Sequence, residues 1–209
     1  MTAPMITAVF SVGYLAITLW LCRGVKLNAK SLCFCGVTCA LTLVLSSIMI
    51  PLPTGAAITC GSWIPLMLLA LIYDYRLAFL SGWITGILIM ILIPAWQPVH
   101  WAQLFVEHLV CFSCLGYAGV FGSHKRGEIF AGMLLAVFLK FWGHVLSGVI
   151  FFSQNAWDGW GAWGYSLTYH LSSKVPEGIL SMVIVSLLPL GTIKKALKTP
   201  VKGAPHENR

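Results

Sequence analysis

Two pairs of ionisable residues lie inside apolar segments of the sequence that are long enough to cross a membrane. Glu107 and His108 belong to WAQLFVEHLVCFSCLGYAGVFG, and Lys140 and His144 belong to MLLAVFLKFWGHVLSGVIFF. A charged side chain in hydrocarbon is costly, so such residues usually face a partner, a cavity or a ligand. These four residues therefore predict a polar pocket between membrane helices.

The second pair belongs to a longer stripe on one helix face. Lys140, His144, Gly148 and Phe152 follow one another at intervals of four, a spacing that places them on one slowly rotating face. Gly148 is predicted to let another backbone or a ligand come close to this face.

On the apolar segment that carries Glu107, Gln103 and Glu107 also share a helix face. If this face meets the Lys140 stripe, Glu107 gains a positive partner. Two interpretations stay open: a Glu107–Lys140 ion pair that only fixes helix packing, or a carboxylate that binds a cation.

The stretch FFSQNAWDGWGAWGYSLTYH, residues 151–170, combines aromatic rings with glycines and amide groups. Such rings are typical of an aromatic belt at the lipid headgroups. Aromatic faces beside a few hydrogen-bonding groups also suit the capture of a flat heterocycle, the interpretation that we favour.

The composition indicates a polytopic membrane helix bundle. Of the 209 residues, 58% are hydrophobic and 9% are charged, whereas soluble domains average about 25% charged residues. The apolar runs are continuous rather than alternating, which favours helices over barrel strands. Seven segments are predicted, at about 5–22, 31–50, 62–73, 77–94, 103–122, 131–152 and 173–193.

The basic residues predict the topology. Lys and Arg occur in loops 23–30, 74–76 and 123–130 and in the tail from residue 194, but not in loops 51–61, 95–102 and 153–172. The positive-inside rule puts the basic loops and the C-terminus in the cytoplasm, and seven crossings then put the N-terminus outside. The first segment has neither a basic region before it nor an Ala-x-Ala cleavage site after it, so a retained helix is expected rather than a signal peptide.

Other function classes find little support in the sequence. The net charge of +7 lies in short loops and the tail, without the basic and aromatic patch of a nucleic-acid binder. The seven cysteines have no metal-ligand spacing, and no hydrolase, Walker or Rossmann motif is present. We therefore expect no enzyme, no catalytic residues, no metal and no cofactor.

Two runs of residues carry a resemblance to a known family. The first run is EHLV at 107–110 with the Leu-Gly and Ala-Gly pairs that follow at 115–119. The second and stronger run extends from the Leu-Lys-Phe of 139–141 through His144 and Gly148 to the Tyr-Ser-Leu of 165–167. Together they cover about 103–170 and resemble the thiamine-specific S-components of energy-coupling factor (ECF) transporters, whereas the first hundred residues agree mainly in helix pattern.

The resemblance implies a fold, a function and partners. The fold would be an all-α, six-helix vitamin-binding domain at 31–194, with an additional N-terminal helix and basic loop at 1–30 and a basic cytoplasmic tail at 195–209. The protein would capture thiamine or a close analogue at the bacterial plasma membrane. It would pair with a transmembrane coupling subunit and two ATPases.

The resemblance also assigns roles to single residues. Glu107 would face the cationic ligand, Lys140 and His144 would line or support the pocket, and Gly148 and Tyr165 fall on ligand-binding positions of the family. The family's pattern differs at three further positions: His108 stands where the family has a tyrosine, Phe152 where it has a tryptophan, and the family has an asparagine near His170. A pocket tryptophan of the first outer loop is also missing, with Ala56 nearest in register.

Family members dock on their coupling subunit through small residues of the first core helix. Gly36 and Ala40 offer such a surface here, although ordinary helix packing would explain them equally well. Besides the importer subunit, two other functions stay open. They are an autonomous proton- or ion-coupled carrier for a cationic heterocycle, and an assembly protein held together by Glu107 and Lys140.

Overall fold

A computed structural model describes residues 3–198 and shows a bundle of helices with one small β-hairpin. The helices are α1 (Ala3–Leu21), α2 (Ala29–Ser47), α3 (Ile64–Ile72), α4 (Tyr75–Leu92), α5 (Leu104–Gly119), α6 (Arg126–Phe151), α7 (Ala162–Leu187) and α8 (Leu190–Lys198). The strands β1 (Met49–Pro51) and β2 (Ala57–Thr59) pair antiparallel, with Ile50 opposite Ile58. The predicted all-α membrane fold is confirmed. Residues 199–209 of the predicted tail lie outside the described residues.

Four of these helices, α1, α2, α4 and α6, are long and apolar enough to cross a membrane by themselves. The helices α7 and α8 pass the same test together, with a bend of 65° between them. Large apolar side chains such as Phe10, Val44, Ile91 and Phe138 point outward. This outward apolar surface fits a multi-pass membrane protein, because lipid replaces water as the surrounding solvent.

Local sequence signals set several helix starts. The side chain of Asn28 accepts a hydrogen bond of 2.9 Å from the Ser31 backbone N–H, and the Asn28 N–H donates one of 2.9 Å to Ser31 Oγ. This reciprocal arrangement satisfies two free backbone donors at the start of α2. Asp74 caps α4 by accepting 2.8 Å from the Arg76 N–H. Pro65 lies in the first turn of α3, where its missing N–H costs least.

The interior of the bundle is built around the short helix α3. Leu66 and Met67 are fully buried there and share one cluster with Leu77 of α4 and Leu115 of α5. Helix α1 packs on the outer side of α5, where Ser113 Oγ donates a hydrogen bond of 3.2 Å to the Tyr14 hydroxyl.

Several predicted segment boundaries differ from the structure, and two of these differences concern residues that border the site. The last segment was expected at 173–193, but α7 begins at Ala162 and the chain bends before α8. The residues from 162 to 172 are helical although they are polar and aromatic, and three of them, Tyr165, Tyr169 and His170, border a cavity inside the bundle. The second segment ends at Ser47 instead of residue 50, because the next residues pair in the hairpin.

Candidate ligand-binding site

One cavity of about 390 Å³ lies between α5, α6, α7, the hairpin and the loop after α4. This volume is in the range of small-molecule sites. The lining residues are Met49, Gly55, Ala57, Ala95, Trp96, Gln97, Gln103, Glu107, His144, Ser147, Gly148, Phe152, Asn155, Tyr165, Tyr169, His170, Ser173 and Lys174.

Glu107 provides a carboxylate in the wall of this cavity. Its Oε2 accepts hydrogen bonds of 2.5 Å from Gln103 Nε2 and 2.6 Å from Ser147 Oγ. Its Oε1 lies 3.6 Å from His144 Nδ1, and its side chain is 19% exposed. Gln103 is itself held, since its Oε1 accepts 2.8 Å from the Val99 N–H. Two neutral donors therefore fix the carboxylate and leave its charge available to a ligand.

The backbone around Glu107 has an unusual shape. Residues Leu104–Val110 form wide π-helical turns, which are rare and occur frequently at functional sites. Gly86 of α4 allows this segment to come close, because a Cβ at Gly86 would overlap the carbonyl group of His108. The close approach of α4 and α5 thus sets the position from which Glu107 enters the cavity.

Two histidine rings form the wall beside Glu107. His144 of α6 and His170 of α7 stack with ring centroids 5.6 Å apart and an interplanar angle of 27°. They are 1% and 8% exposed, and neither ring nitrogen of His144 nor Nδ1 of His170 has a hydrogen-bond partner among the described residues. Buried polar atoms usually have partners, so these nitrogens indicate a site for a bound molecule.

Gly148 permits the close contact of α6 and α7 at this wall. A Cβ at Gly148 would collide with Ser166 Oγ and would lie 3.1 Å from His170 Nε2. Ser166 cannot easily move away, because its hydroxyl donates a hydrogen bond of 2.7 Å to the Val145 carbonyl. The predicted close approach at Gly148 therefore involves side chains of α7.

Aromatic rings line much of the remaining wall. Phe152, Tyr165, Tyr169 and Trp96 all border the cavity. Trp157, in the loop between α6 and α7, lies outside the lining and packs edge-on against Tyr165 with ring centroids 5.0 Å apart. Rings of this kind can stack on a flat heterocycle and stabilise a cation.

Lys140 does not line the cavity, and of the two interpretations that the sequence left open, the Glu107–Lys140 ion pair is not formed in the described residues. The Lys140 ammonium group donates a hydrogen bond of 3.0 Å to the Cys111 carbonyl and lies 3.9 Å from the centroid of the Phe112 ring. Its side chain is 1% exposed and therefore lies in the interior of the helix bundle. The stripe along α6 is divided, with Lys140 inside the bundle and His144, Gly148 and Phe152 at the cavity.

His108 also points away from the cavity. Its Nε2 lies 2.7 Å from the carbonyl oxygen of Trp96, and the side chain is 2% exposed. His108 thus holds the loop that carries Trp96, a residue that does line the cavity. Adjacent helical residues point about 100° apart, which explains why Glu107 and His108 take different directions.

Lys174 at the inner end of the cavity and Glu177 behind it were missed by the sequence interpretation. Lys174 Nζ lies 3.8 Å from Glu177 Oε2. The other Glu177 oxygen accepts hydrogen bonds from Thr59 Oγ1 and from Ser62 Oγ, the latter 3.2 Å long. The Lys-x-x-Glu spacing inside the predicted last apolar segment was the available signal.

The hairpin closes one side of the cavity through Met49, Gly55 and Ala57. Ala57 therefore takes the lining position for which Ala56 was the nearest candidate, while Ala56 is 1% exposed and turned inward. Tyr169 donates a hydrogen bond of 3.2 Å from its hydroxyl to the Gly55 carbonyl, which ties the hairpin turn to α7.

The predicted docking residues Gly36 and Ala40 lie on α2 and do not border the cavity. Gly36 and Ala40 are exposed, and a Cβ at Gly36 would meet no atom within 4 Å. Neither residue is therefore buried in the packing inside the bundle. Within residues 3–198, no cluster of three or more metal-ligating side chains is found.

A protein-family model for the thiamine transporter protein family (Thia_YuaJ) matches residues 32–197 of the chain. Among curated proteins, the chain is 29% identical over 157 residues to the thiamine transporter ThiT of Bacillus subtilis, covering 69% of this chain and 81% of that protein. It is 30% identical over 139 residues to the thiamine transporter ThiT of Lacticaseibacillus paracasei, covering 60% of this chain and 69% of that protein.

The fold is similar to a solved structure of ThiT from Listeria monocytogenes. The TM-score is 0.70 at 24% sequence identity, and the similarity covers 79% of this chain and 96% of the other. Helix α1 precedes the residues that the family model matches.

Proposed function

Because this chain belongs to the thiamine transporter protein family, we propose that it binds thiamine or a close analogue in the cavity between α5, α6 and α7. The observation that carries this proposal is Glu107, a carboxylate held by Gln103 and Ser147 in the cavity wall. Thiamine has a permanently cationic thiazolium ring and an aromatic pyrimidine. A fixed carboxylate with aromatic neighbours suits a ligand of this kind.

The residues that we propose for binding are those that border the cavity. Glu107 pairs with the cationic ring, while His144 and His170 offer free ring nitrogens to polar groups of the ligand. Phe152 and Tyr165 provide faces and edges for stacking, and Gly148 keeps α6 and α7 close enough to bring these groups together. His108 and Lys140 act on the ligand indirectly, by holding the Trp96 loop and the α5–α6 contact.

We further propose that the protein is the substrate-capturing subunit of an ECF importer rather than an enzyme. ATP-driven coupling would come from a transmembrane coupling subunit and two ATPases. The exposed small residues Gly36 and Ala40 on α2 suit close contact with a helix of the coupling subunit.

We also propose an orientation in the membrane, and the contacts between the basic segments support it. Lys30 Nζ donates 2.5 Å to the Leu197 carbonyl, and Lys194 Nζ donates 2.6 Å to the Ser123 carbonyl. The start of α2, the loop before α6 and helix α8 therefore share one end of the bundle. We assign this end to the cytoplasm by the positive-inside rule, which places the N-terminus and the mouth of the cavity outside.

Native mass spectrometry of the protein purified in detergent tests the binding proposal. We expect thiamine to be retained from the host or to bind as one molecule per chain when added. A calorimetric titration with thiamine on protein stripped of bound molecules gives the affinity. A folded protein that is reproducibly empty and gives no response to thiamine would refute the proposal.

A further inference from the structure

We propose that Lys174 forms a second recognition point in the same cavity, which binds the hydrogen-bond acceptors of the ligand's neutral ring. The cavity would then have two poles, with Glu107 selecting the cationic ring and Lys174 selecting the acceptor-bearing ring. This inference rests on the proposed function, because it concerns how the same ligand is oriented.

The position of Lys174 supports this proposal. It lies twelve residues after the start of α7, which corresponds to roughly 18 Å along the helix. Its side chain is more than nine-tenths buried and still borders the cavity. A lysine at this depth is costly unless its charge has a use, and it is therefore a candidate for ligand contact.

The ammonium group of Lys174 is incompletely hydrogen-bonded among the described residues. An ammonium has three N–H donors. In the described part of the chain, Lys174 Nζ has only the Glu177 carboxylate at 3.8 Å and the Trp96 ring, whose centroid is 5.4 Å away. Both separations exceed an N–H···O hydrogen bond, so the donors that face the cavity stay available to a ligand acceptor.

Glu177 is held in place behind Lys174. Glu177 is fully buried, and one of its oxygens is occupied by Thr59 and Ser62, next to the hairpin. Its other oxygen faces Lys174 and has no hydrogen-bond partner among residues 3–198. Glu177 thus offsets part of the cost of a buried ammonium and anchors it from behind, without replacing a ligand on the cavity side.

The opposite charges of Glu107 and Lys174 then orient the ligand. A cationic ring is attracted to Glu107 and repelled from Lys174. An aminopyrimidine ring is neutral and carries two ring nitrogens that accept hydrogen bonds. Thiamine joins two such rings through a single methylene group, so it fits a site with an anion on one side and a donor on the other.

The test compares two ligands on two proteins by calorimetry in detergent. The ligands are thiamine and its benzyl-thiazolium analogue, in which a phenyl ring replaces the aminopyrimidine; the proteins are the wild type and Lys174→Met. We expect Lys174→Met to raise the Kd for thiamine roughly ten- to a hundredfold, the loss of a hydrogen bond to a charged group. The Kd for the analogue should stay within about twofold, because the analogue has no acceptor to lose.

The analogue also serves as the folding control, since its unchanged binding shows that the cavity and Glu107 are intact. If Lys174→Met does not fold, the Lys174→Met/Glu177→Met double variant removes both charges and carries the same comparison. An equal loss of affinity for both ligands, or no loss for either, would overturn the second recognition point while thiamine binding by the wild type stands. A wild-type protein that binds neither ligand would overturn the proposed function as well.

Discussion

His144 Nδ1 lies 3.6 Å from Glu107 Oε1, while Ser147, one turn further along α6, donates a hydrogen bond to the other oxygen of the same carboxylate. Two helices therefore meet at one acidic group. The carboxylate has its hydrogen bonds from neutral donors, and no lysine or arginine within the described residues forms an ion pair with it. This leaves a negative charge at the cavity that a cationic ligand can neutralise.

The first prediction is that Glu107→Gln weakens thiamine binding while the protein stays folded. The substitution keeps the size of the side chain and removes its charge. We expect a loss of about 1.5–3 kcal/mol in binding free energy, the range for hydrogen bonds to charged groups. Calorimetric titration of purified protein measures it.

Asp158→Asn is the matched control for this change. Asp158 is an exposed acid in the turn before α7 and does not border the cavity. The control removes one negative charge at the same end of the bundle and should leave the affinity unchanged. Equal affinities of wild type and Glu107→Gln would contradict the role of Glu107.

The second prediction concerns the aromatic wall. Phe152→Ala should weaken binding by about 1–2 kcal/mol, because a ring that can stack on the ligand is lost. Phe152→Trp should preserve or improve binding, since it offers a larger face at the same position. The measurement is calorimetry combined with the change in tryptophan fluorescence on ligand addition.

Trp157→Ala provides the comparison for Phe152. Trp157 reaches the cavity only through its edge-on contact with Tyr165, so its replacement should have the smaller effect. A greater loss from Trp157→Ala than from Phe152→Ala would show that the ligand lies nearer the outer loop. Complete loss of binding in Phe152→Trp would show that the cavity has a different shape.

How much of this site is predictable from sequence depends on the kind of residue. Glu107 and His144 are ionisable residues in apolar helices. Because such residues are costly in lipid, the sequence alone identifies them as candidates for a functional site. Lys140 is also an ionisable residue in an apolar helix, but its ammonium group contacts the Cys111 carbonyl and the Phe112 ring instead of the cavity. Helical spacing defines a face, but it does not define how deep along that face a cavity ends.

The helical spacing of apolar residues does not predict the hairpin or the position at which α7 begins. Tyr169 and His170 lie in a polar, glycine-rich stretch that resembles a loop in sequence, yet they are helical and border the cavity. Trp96 enters the lining from a loop, and its place depends on the His108 contact with its carbonyl. Contacts between segments distant in sequence decide these positions, and one chain alone gives no signal for them.

The third prediction is that Gly148→Ala harms both stability and binding. The added methyl group would collide with Ser166 Oγ, which is fixed by its bond to the Val145 carbonyl. We expect about 1–3 kcal/mol of destabilisation, typical of overpacking, with weaker thiamine binding because His170 must move. Thermal unfolding in detergent and calorimetry measure the two effects.

Gly13→Ala is the control for the glycine change. Gly13 lies inside helix α1, and a Cβ there would meet no atom within 4 Å. The control should be neutral or should stabilise the protein by up to about 1 kcal/mol, the difference in helix propensity. A Gly148→Ala protein with wild-type stability and affinity would mean that α6 and α7 are not closely packed at this point.

The last prediction separates an importer subunit from an autonomous carrier. In liposomes, the purified protein should bind thiamine without accumulating it, with or without a proton gradient. The addition of an ECF coupling subunit and its ATPases should start ATP-dependent uptake. Gly36→Leu and Ala40→Leu should reduce that uptake and leave the Kd for thiamine nearly unchanged, because both residues are exposed on α2, away from the cavity.

Gly13→Leu adds the same bulk on the exposed face of α1 and should leave uptake intact, so equal losses in all three variants would argue against a docking face on α2. Gradient-driven accumulation by the protein alone would refute the importer subunit and favour the carrier.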